Sequence, residues 1–526
     1  MKAVYVKNCA AGGGIPLLNA YWRHFKSGTD IRGIASPGAP DGAPVDLTDE
    51  VVARMAAGFV LWLSKKTGQK PSEFCISVGH DSRISAERIQ KAVVDTLVSC
   101  GVRVLRCNLA STPSMFMTTV DLHCTGAVQI TASHHPFYRN GLKFFTREGG
   151  LEGADIEEIL LFAQENQAPP QGAGSVEDVD YMTSYAARLR KMICEGVNAQ
   201  RYEQPLAGFH IVVDAGNGAG GFYATEVLEP LGADTSGSQF LEPDGTFPNH
   251  IPNPEAKEAI ESLSQAVRAN HADVGVIFDT DVDRGGAVDR DGREINRDRL
   301  VALASAIALK DAPGGTIVTD SVTSDGLKTF IEQTLHGKQC RYQRGYKNVI
   351  DKAIALNAEG VDCPLAIETS GHAAMRENYF LDDGAYLVTK ILICLARLRR
   401  EGKDLEDLLR GLPEAAERVE LRLPILAEDF REAGQKVLES LKLCASHQPH
   451  WHLDPETGEG VRLSFDERAG DGWALLRMSV HDPVMPLNIE SNFAGGVRLI
   501  ASQLYVNLRK HKALDVAPVE EYIESF

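Results

Sequence analysis

The run His271-Ala272-Asp273-Val274-Gly275-Val276-Ile277-Phe278 passes straight into Asp279-Thr280-Asp281-Val282-Asp283-Arg284. An apolar, β-branched segment ending in a polar loop is what a buried strand presents at its carboxyl end in an α/β sheet. Read as an extended segment, the loop points Asp279, Asp281 and Asp283 to one side, where they repel unless a cation lies between them. Oxygen ligands alone select a hard ion, and a site completed by a phosphate oxygen is typical of magnesium. The calcium loop D-x-D-x-D-G-x5-E does not fit, because its sixth position is Arg284 and its twelfth is Arg290. A solvated acidic turn is the plain alternative.

Upstream, Thr131-Ala132-Ser133-His134-His135-Pro136 and then Asn140-Gly141-Leu142-Lys143 set a hydroxyl beside an imidazole in a kinked loop closed by an amine. Ser133 suits a group that takes and gives a phosphoryl, with His134 moving the proton and Lys143 neutralising charge. Taken alone, the segment reads equally as a polar turn with an idle serine.

Around these loops, β-branched apolar runs alternate with helical stretches, the pattern of α/β domains. Strands are expected at 74–78, 126–130, 209–213 and 315–319, and helices at 86–99, 155–165, 180–193 and 299–309. A chain of 526 residues exceeds one core and implies three or four domains. Ala168-Pro169-Pro170-Gln171-Gly172-Ala173-Gly174 reads as the first linker, with further boundaries after Asn296 and near Leu412-Pro413.

Composition, at 44% apolar and 24% charged residues, is that of an ordinary soluble globular protein. A net charge of −18 argues against nucleic acid or anionic membranes as partners. An anionic small substrate must then be caught by local Arg and Lys. No apolar run reaches the roughly 18 residues of a membrane span. The start, Met1 to Lys7, has no apolar signal core. Ten cysteines, from Cys9 to Cys444, show no CxxC and read as reduced thiols, which points to cytoplasm. An organelle form lacking its transit peptide would look the same.

Gly216-Asn217-Gly218-Ala219-Gly220-Gly221 satisfies G-x-G-x-x-G between a strand and a helix, so a dinucleotide-dependent oxidoreductase is a second function class. No acidic residue closes a strand about 20 residues on, since Glu242 lies in a Pro/Gly turn. No GxxxxGK[ST] cradle for a nucleotide triphosphate is present.

Read in order, the loops resemble the α-D-phosphohexomutase family of phosphoglucomutases, phosphomannomutases and phosphoglucosamine mutases. The resemblance runs through Ser27-Gly28-Thr29-Asp30-Ile31-Arg32-Gly33, Val78-Gly79-His80-Asp81-Ser82-Arg83, the serine loop, Pro243-Asp244-Gly245-Thr246, the aspartate loop, Glu368-Thr369-Ser370-Gly371-His372 and Asp382-Asp383-Gly384-Ala385. It implies three similar α/β mixed-sheet domains and a smaller C-terminal α+β domain, heart-shaped around a central cleft. The boundaries expected are 1–172, 173–296, 297–413 and 414–526, carrying in turn the phosphoserine, metal, sugar-specificity and distal-phosphate loops. It further implies Ser133 as phosphate carrier and magnesium on Ser133, Asp279, Asp281 and Asp283. Arg32, Lys143 and Arg284 would offset charge, and His134 or His372 would serve as acid/base. Glu368, Ser370, Lys347, Arg477 and Ser479 would bind substrate. A hexose phosphate is the expected substrate and a hexose 1,6-bisphosphate the activator, for a monomer or homodimer.

The segment Arg477-Met478-Ser479-Val480-His481-Asp482-Pro483 departs from the family's R-x-S-x-T-E-P, and Pro486 stands where a further Arg is usual. A weakly active or repurposed sugar-phosphate binder is therefore a third class. Asn140 to Phe145 leans toward the phosphoglucosamine type, while Thr369 fits none of the usual sugar choices.

Overall fold

The computed structural model describes residues 17–455, 457–479 and 482–525, so the expectations resting on Met1 to Lys7, Cys9 and His481 lie outside the described residues. In the first domain, Gly126–Ile130, Cys75–His80, Arg103–Leu109 and Ser175–Asp178 run parallel. Arg139–Thr146 and Asp30–Ile34 continue the sheet antiparallel. Helices Asp49–Thr67, Ala86–Ser99 and Gly153–Gln164 cover one face. In Ala86–Ser99 the buried Ile89, Val93 and Leu97 recur at helical spacing, which is why this stretch is a helix and which face it buries. The strand Ser175–Asp178 extends this sheet past residue 172, where the sequence placed the domain's end. It is an exposed edge with no apolar alternation to reveal it.

The second sheet pairs Ile211–Asp214 parallel with Val274–Phe278, then Gly285–Asp289 and Glu294–Ile295 antiparallel. The third pairs Lys338–Tyr342, Thr316–Asp320 and Leu365–Ile367 parallel, then Ala373–Met375 and Leu381–Asp382 antiparallel. One arrangement recurs in all three domains: a buried parallel strand is followed by its antiparallel neighbour. The connections are residues 131–138, 279–284 and 368–372, which are the serine, aspartate and Glu368 loops.

A shared core binds the three units. Tyr185, on helix Tyr181–Val197, and Tyr223 pack in it with Ile391 and Leu392 of helix Gly384–Arg400. The two hydroxyls are satisfied there, Tyr185 donating to Asp383 at 2.7 Å and Tyr223 sharing a hydrogen bond with Thr389 at 2.8 Å. The fourth domain has its own core under a fully antiparallel sheet, in the order Glu417–Pro424, Val484–Ser491, Gly472–Leu476, Val461–Phe465, Trp451–Asp454. A cleft of about 1250 Å³ opens between the second, third and fourth domains. No described helix is long and apolar enough to cross a membrane.

The glycine turn of residues 216–221 serves packing. A Cβ on Gly218 would lie 2.6 Å from the Thr280 carbonyl, and one on Gly221 would lie 2.3 Å from the Leu241 carbonyl. The adjacent Ala219 N–H donates to the Thr280 carbonyl at 2.8 Å, so the turn props the aspartate loop from behind. Gly218→Ala should cost about 1–3 kcal/mol through backbone displacement, read as a lower thermal midpoint. It should also weaken magnesium binding in titration calorimetry, because Thr280 must move.

Candidate active site

Ser133 is buried in the left-handed backbone region at φ 50°, a strained conformation for a side chain with a Cβ. Its N–H donates to Thr131 Oγ1 at 2.9 Å. The loop is held by Arg83, whose guanidinium donates to the carbonyls of Ser133, His135, Pro136 and Arg139, the last two at 2.9 and 2.8 Å. Arg83 is itself buried, 3.3 Å from the Asp81 carboxylate. Ser133 Oγ lies 3.0 Å from Asp279 Oδ2 and 3.2 Å from His134 Nδ1, so its single proton has two acceptors in reach. Burial, with Arg284, His135 and Arg32 nearby, holds His134 far below the usual histidine range. At neutral pH it is an uncharged imidazole and not the group poised near neutrality that sequence suggests.

The aspartate loop is a turn and not an extended segment. Val282 at its centre sits at φ 67°, an outlier for a β-branched residue. The carboxylates still converge, with ligand atoms of Asp279, Asp281 and Asp283 all within 4.8 Å of one another and all buried. Burial and the neighbouring Asp283 and Asp281 push Asp279 well above the ordinary carboxylate range. Burial also works against ionised Asp283, yet Lys143, His372 and Arg284 overcome it and hold its pKa low. Lys143 Nζ donates to Asp283 and lies 3.4 Å from Asp281 Oδ2. Thr112 of the first domain donates through its hydroxyl to Asp281 and through its N–H to the Asp281 carbonyl at 2.8 Å. Asp281 Oδ1 and Asp283 Oδ1 are buried without a hydrogen-bond partner. Unpartnered buried carboxylate oxygens in an all-oxygen cluster fit a hard divalent cation.

The third domain closes the other side. His372 Nδ1 donates to Asp382, and the ring stacks on Tyr346 at 5.2 Å. Burial opposes its charge, but Asp382 and then Asp283 raise its pKa above the ordinary value. Arg284 lies 3.8 Å from Asp279 and 3.9 Å from Glu255. Glu368 accepts from the Gly345 N–H at 2.6 Å and from the Ser370 hydroxyl at 3.4 Å. Arg32, in the strand beside Asn140 to Leu142, bonds Asp30 at 2.9 Å.

Ser133, His134, Lys143, Arg284, His372 and the three aspartates are thus brought together, with Glu368 and Ser370 on the adjoining loop. Lys347 is placed differently from the sequence expectation. It pairs with Asp351 one turn along its helix and with Glu152 of the first domain, so its charge is spent on carboxylates. The neighbouring Arg344 lines the cleft instead, with Thr369 and Arg477. Arg477 leads out of the strand Gly472–Leu476, and the Ser479 N–H donates to the Val484 carbonyl at 2.9 Å. Sequence reasoning assigned no role to Arg83, Thr112, Arg344 or Asp382. Arg83 and Asp382 sit within motifs it did single out, whereas Thr112 carries no local signal.

Three family models match the chain in series: Phosphoglucomutase/phosphomannomutase, alpha/beta/alpha domain I at residues 25–168, domain II at 184–292 and domain III at 296–416. A phosphomannomutase/phosphoglucomutase of Pseudomonas aeruginosa is 29% identical over 452 residues, 85% of this chain and 90% of that protein. A phosphoglucomutase of Neisseria gonorrhoeae is 28% identical over 477 residues, 90% of this chain and 94% of its own length. The crystal structure of a phosphoglucomutase/phosphomannomutase family protein from Burkholderia thailandensis superposes with TM-score 0.76 at 26% identity, covering 93% of this chain and 98% of that one.

Two outcomes test this geometry. Asp281→Asn keeps shape and removes one negative ligand, so magnesium affinity by titration calorimetry should fall more than about tenfold. Arg83→Lys keeps the charge but cannot reach four carbonyls at once. It should lower the thermal midpoint and raise amide exchange selectively across residues 131–139.

Proposed function

Because the chain belongs to the phosphoglucomutase/phosphomannomutase family and is a hexose phosphate mutase, we propose that it moves phosphate between the 1- and 6-positions of glucose- or mannose-type hexose phosphates through Ser133. The observation that supports this most directly is the Ser133 hydroxyl 3.0 Å from Asp279 Oδ2, inside a cluster of three buried carboxylates.

In the first half-reaction a sugar hydroxyl attacks the phosphorus of phosphorylated Ser133. The sugar O–P bond forms as the P–Oγ bond breaks, and the hydroxyl proton passes to a base. His372 suits that role in its uncharged form, since Asp382 orients its Nδ1–H, leaves Nε2 to accept and strengthens its basicity. Arg32, Lys143 and Arg284 face the charge gathering on the transferring oxygens. Magnesium held by Asp279, Asp281 and Asp283 adds stabilisation of phosphoryl charge when bound. The bisphosphorylated sugar then turns, and Ser133 Oγ attacks its other phosphate. Neutral His134, 3.2 Å away, is too weak a base to hold the serine proton and orients the hydroxyl as a hydrogen-bond acceptor, while the Asp279 carboxylate lies 3.0 Å from the same Oγ.

Turning the sugar round demands recognition that works in both orientations. Glu368 and Ser370 offer acceptor and donor groups to ring hydroxyls, while Arg344, Arg477 and Ser479 hold the phosphate that is not reacting. Lys347 is left a lesser part by its two carboxylate partners. A hexose 1,6-bisphosphate acts as activator by restoring phosphate to Ser133 whenever the intermediate escapes. The enzyme is read as cytoplasmic, working as a monomer or homodimer.

Peptide mapping of the purified protein should find phosphate on Ser133. Ser133→Ala should lower turnover of glucose 1-phosphate and mannose 1-phosphate at least about a thousandfold. A fully active alanine variant would refute the reading.

A further inference from the structure

One face of the fourth-domain sheet looks into the cleft, and its cross-strand rows differ sharply in charge. Directly opposed residues share a face. Arg422 stands opposite Pro486, and on the far side of Pro486 lies Arg477, whose N–H donates to the Pro486 carbonyl at 3.1 Å. The next row is Leu475, Asn488 and Glu420, and the one beyond is Trp473, Glu490 and Arg418. Only the row through Pro486 carries two cations and no acid.

Pro486 shapes that row. It has no N–H to return, so the regular ladder with Gly472–Leu476 ends at the pair Leu476 and Leu487. Beyond it the two chains keep single bonds, from the Arg477 N–H to the Pro486 carbonyl and from the Ser479 N–H to the Val484 carbonyl. Its ring adds neither charge nor donor between the two guanidiniums. Strand spacing puts the backbones of Arg477 and Arg422 roughly 10 Å apart, a gap two arginine side chains can close on a tetrahedral anion.

Each guanidinium is only partly paired within the protein, Arg477 with Glu459 nearby and Arg422 with Glu420 and Asp482. Arg477 is only 8% exposed, yet its Nε has no hydrogen-bond partner. The Arg422 side chain is 57% exposed and only loosely paired, at 3.5 Å from Glu420 and 3.9 Å from Asp482. Both line the cleft, as does Arg344 of the third domain.

We propose that Arg422 is the second jaw of an anion clamp, holding the non-reacting phosphate of the substrate over Pro486, opposite Arg477. Two planar forks on one phosphate engage all its terminal oxygens, which a single arginine cannot do. Arg422 is therefore a determinant of substrate affinity and not of the chemical step. The proposal rests on the hexose phosphate mutase reading and is independent of the role of Ser133.

Titration calorimetry with glucose 6-phosphate and mannose 6-phosphate tests it directly, and Arg422, exposed on a strand, can be replaced without disturbing the core. Arg422→Ala should weaken binding of both ligands roughly ten- to a hundredfold. Arg422→Lys should fall between, keeping the charge and losing the fork. In assays the loss should appear in KM, with kcat within about twofold. Affinity unchanged in Arg422→Ala would overturn the clamp and leave the mutase reading intact. If the unsubstituted protein bound neither sugar phosphate, both would fall together.

Discussion

Three carboxylates buried in one six-residue turn are the constraint from which the rest of the site follows. Asp279, Asp281 and Asp283 are each at most 1% exposed, with ligand atoms within 4.8 Å. At that separation like charges repel by a few kcal/mol per pair even at a generous effective dielectric constant. Among the described residues, the second domain answers with Arg284, 3.8 Å from Asp279. The first domain sends Lys143 and Thr112, and the third sends His372. The cluster is therefore tolerable only where three domains meet. The core shared by helices Tyr181–Val197 and Gly384–Arg400 makes that meeting rigid.

Topology makes the convergence economical. In each of the first three domains the chemistry sits at the same place, between a buried parallel strand and its antiparallel successor. Strands enclosed on both faces give such loops a fixed base. The loops can then hold conformations that would relax elsewhere, and Ser133 and Val282 do so with positive φ. Arg83 supplies the restraint for the first loop and Gly218, by close approach, the support for the second. Local strain persists only where its surroundings over-determine it, and these two residues show what does so here.

How much of this was legible depended on whether a signal is carried by side-chain pattern. The apolar run into Asp279 announces a strand and a charged loop, and the helix at Ala86–Ser99 falls where its periodicity puts it. The strand Ser175–Asp178 is polar and exposed, so no alternation marks it. Arg83 lies in a readable motif but its role does not show there, because its acceptors are backbone carbonyls that no sequence displays. Lys347 and Arg344 are three residues apart and chemically alike. Asp351 one turn along and Glu152, far off in sequence, draw Lys347 away, whereas Arg344, beside Glu255 and Asp320, lines the cleft. His134 looked like a titrating group until burial and nearby cations were placed around it. The glycine motif matched a nucleotide fingerprint in letters, yet its glycines admit neighbouring backbone carbonyls.

The fourth domain stands in a different relation to the others. Its core is separate, and what faces the third domain across the cleft is largely charge. Burial and the guanidinium of Arg344 both hold Arg477 below its ordinary pKa, with Glu459 acting against them. Arg344 is itself stabilised as a cation by Asp320 at 3.9 Å and Glu255 at 3.6 Å, so the cost of this like-charge approach falls on Arg477. A phosphate between them reverses the sign of that interaction, since each cation then gains a shared partner. In a chain of net charge −18 the long-range field repels an anionic ligand. Capture must come from a few desolvated cations at short range, where the gain per contact is largest. The same guanidiniums thus enter both the affinity for the sugar phosphate and the apposition of the third and fourth domains, which the pairs Arg462–Asp325 at 2.9 Å and Arg341–Asp454 at 3.3 Å also join.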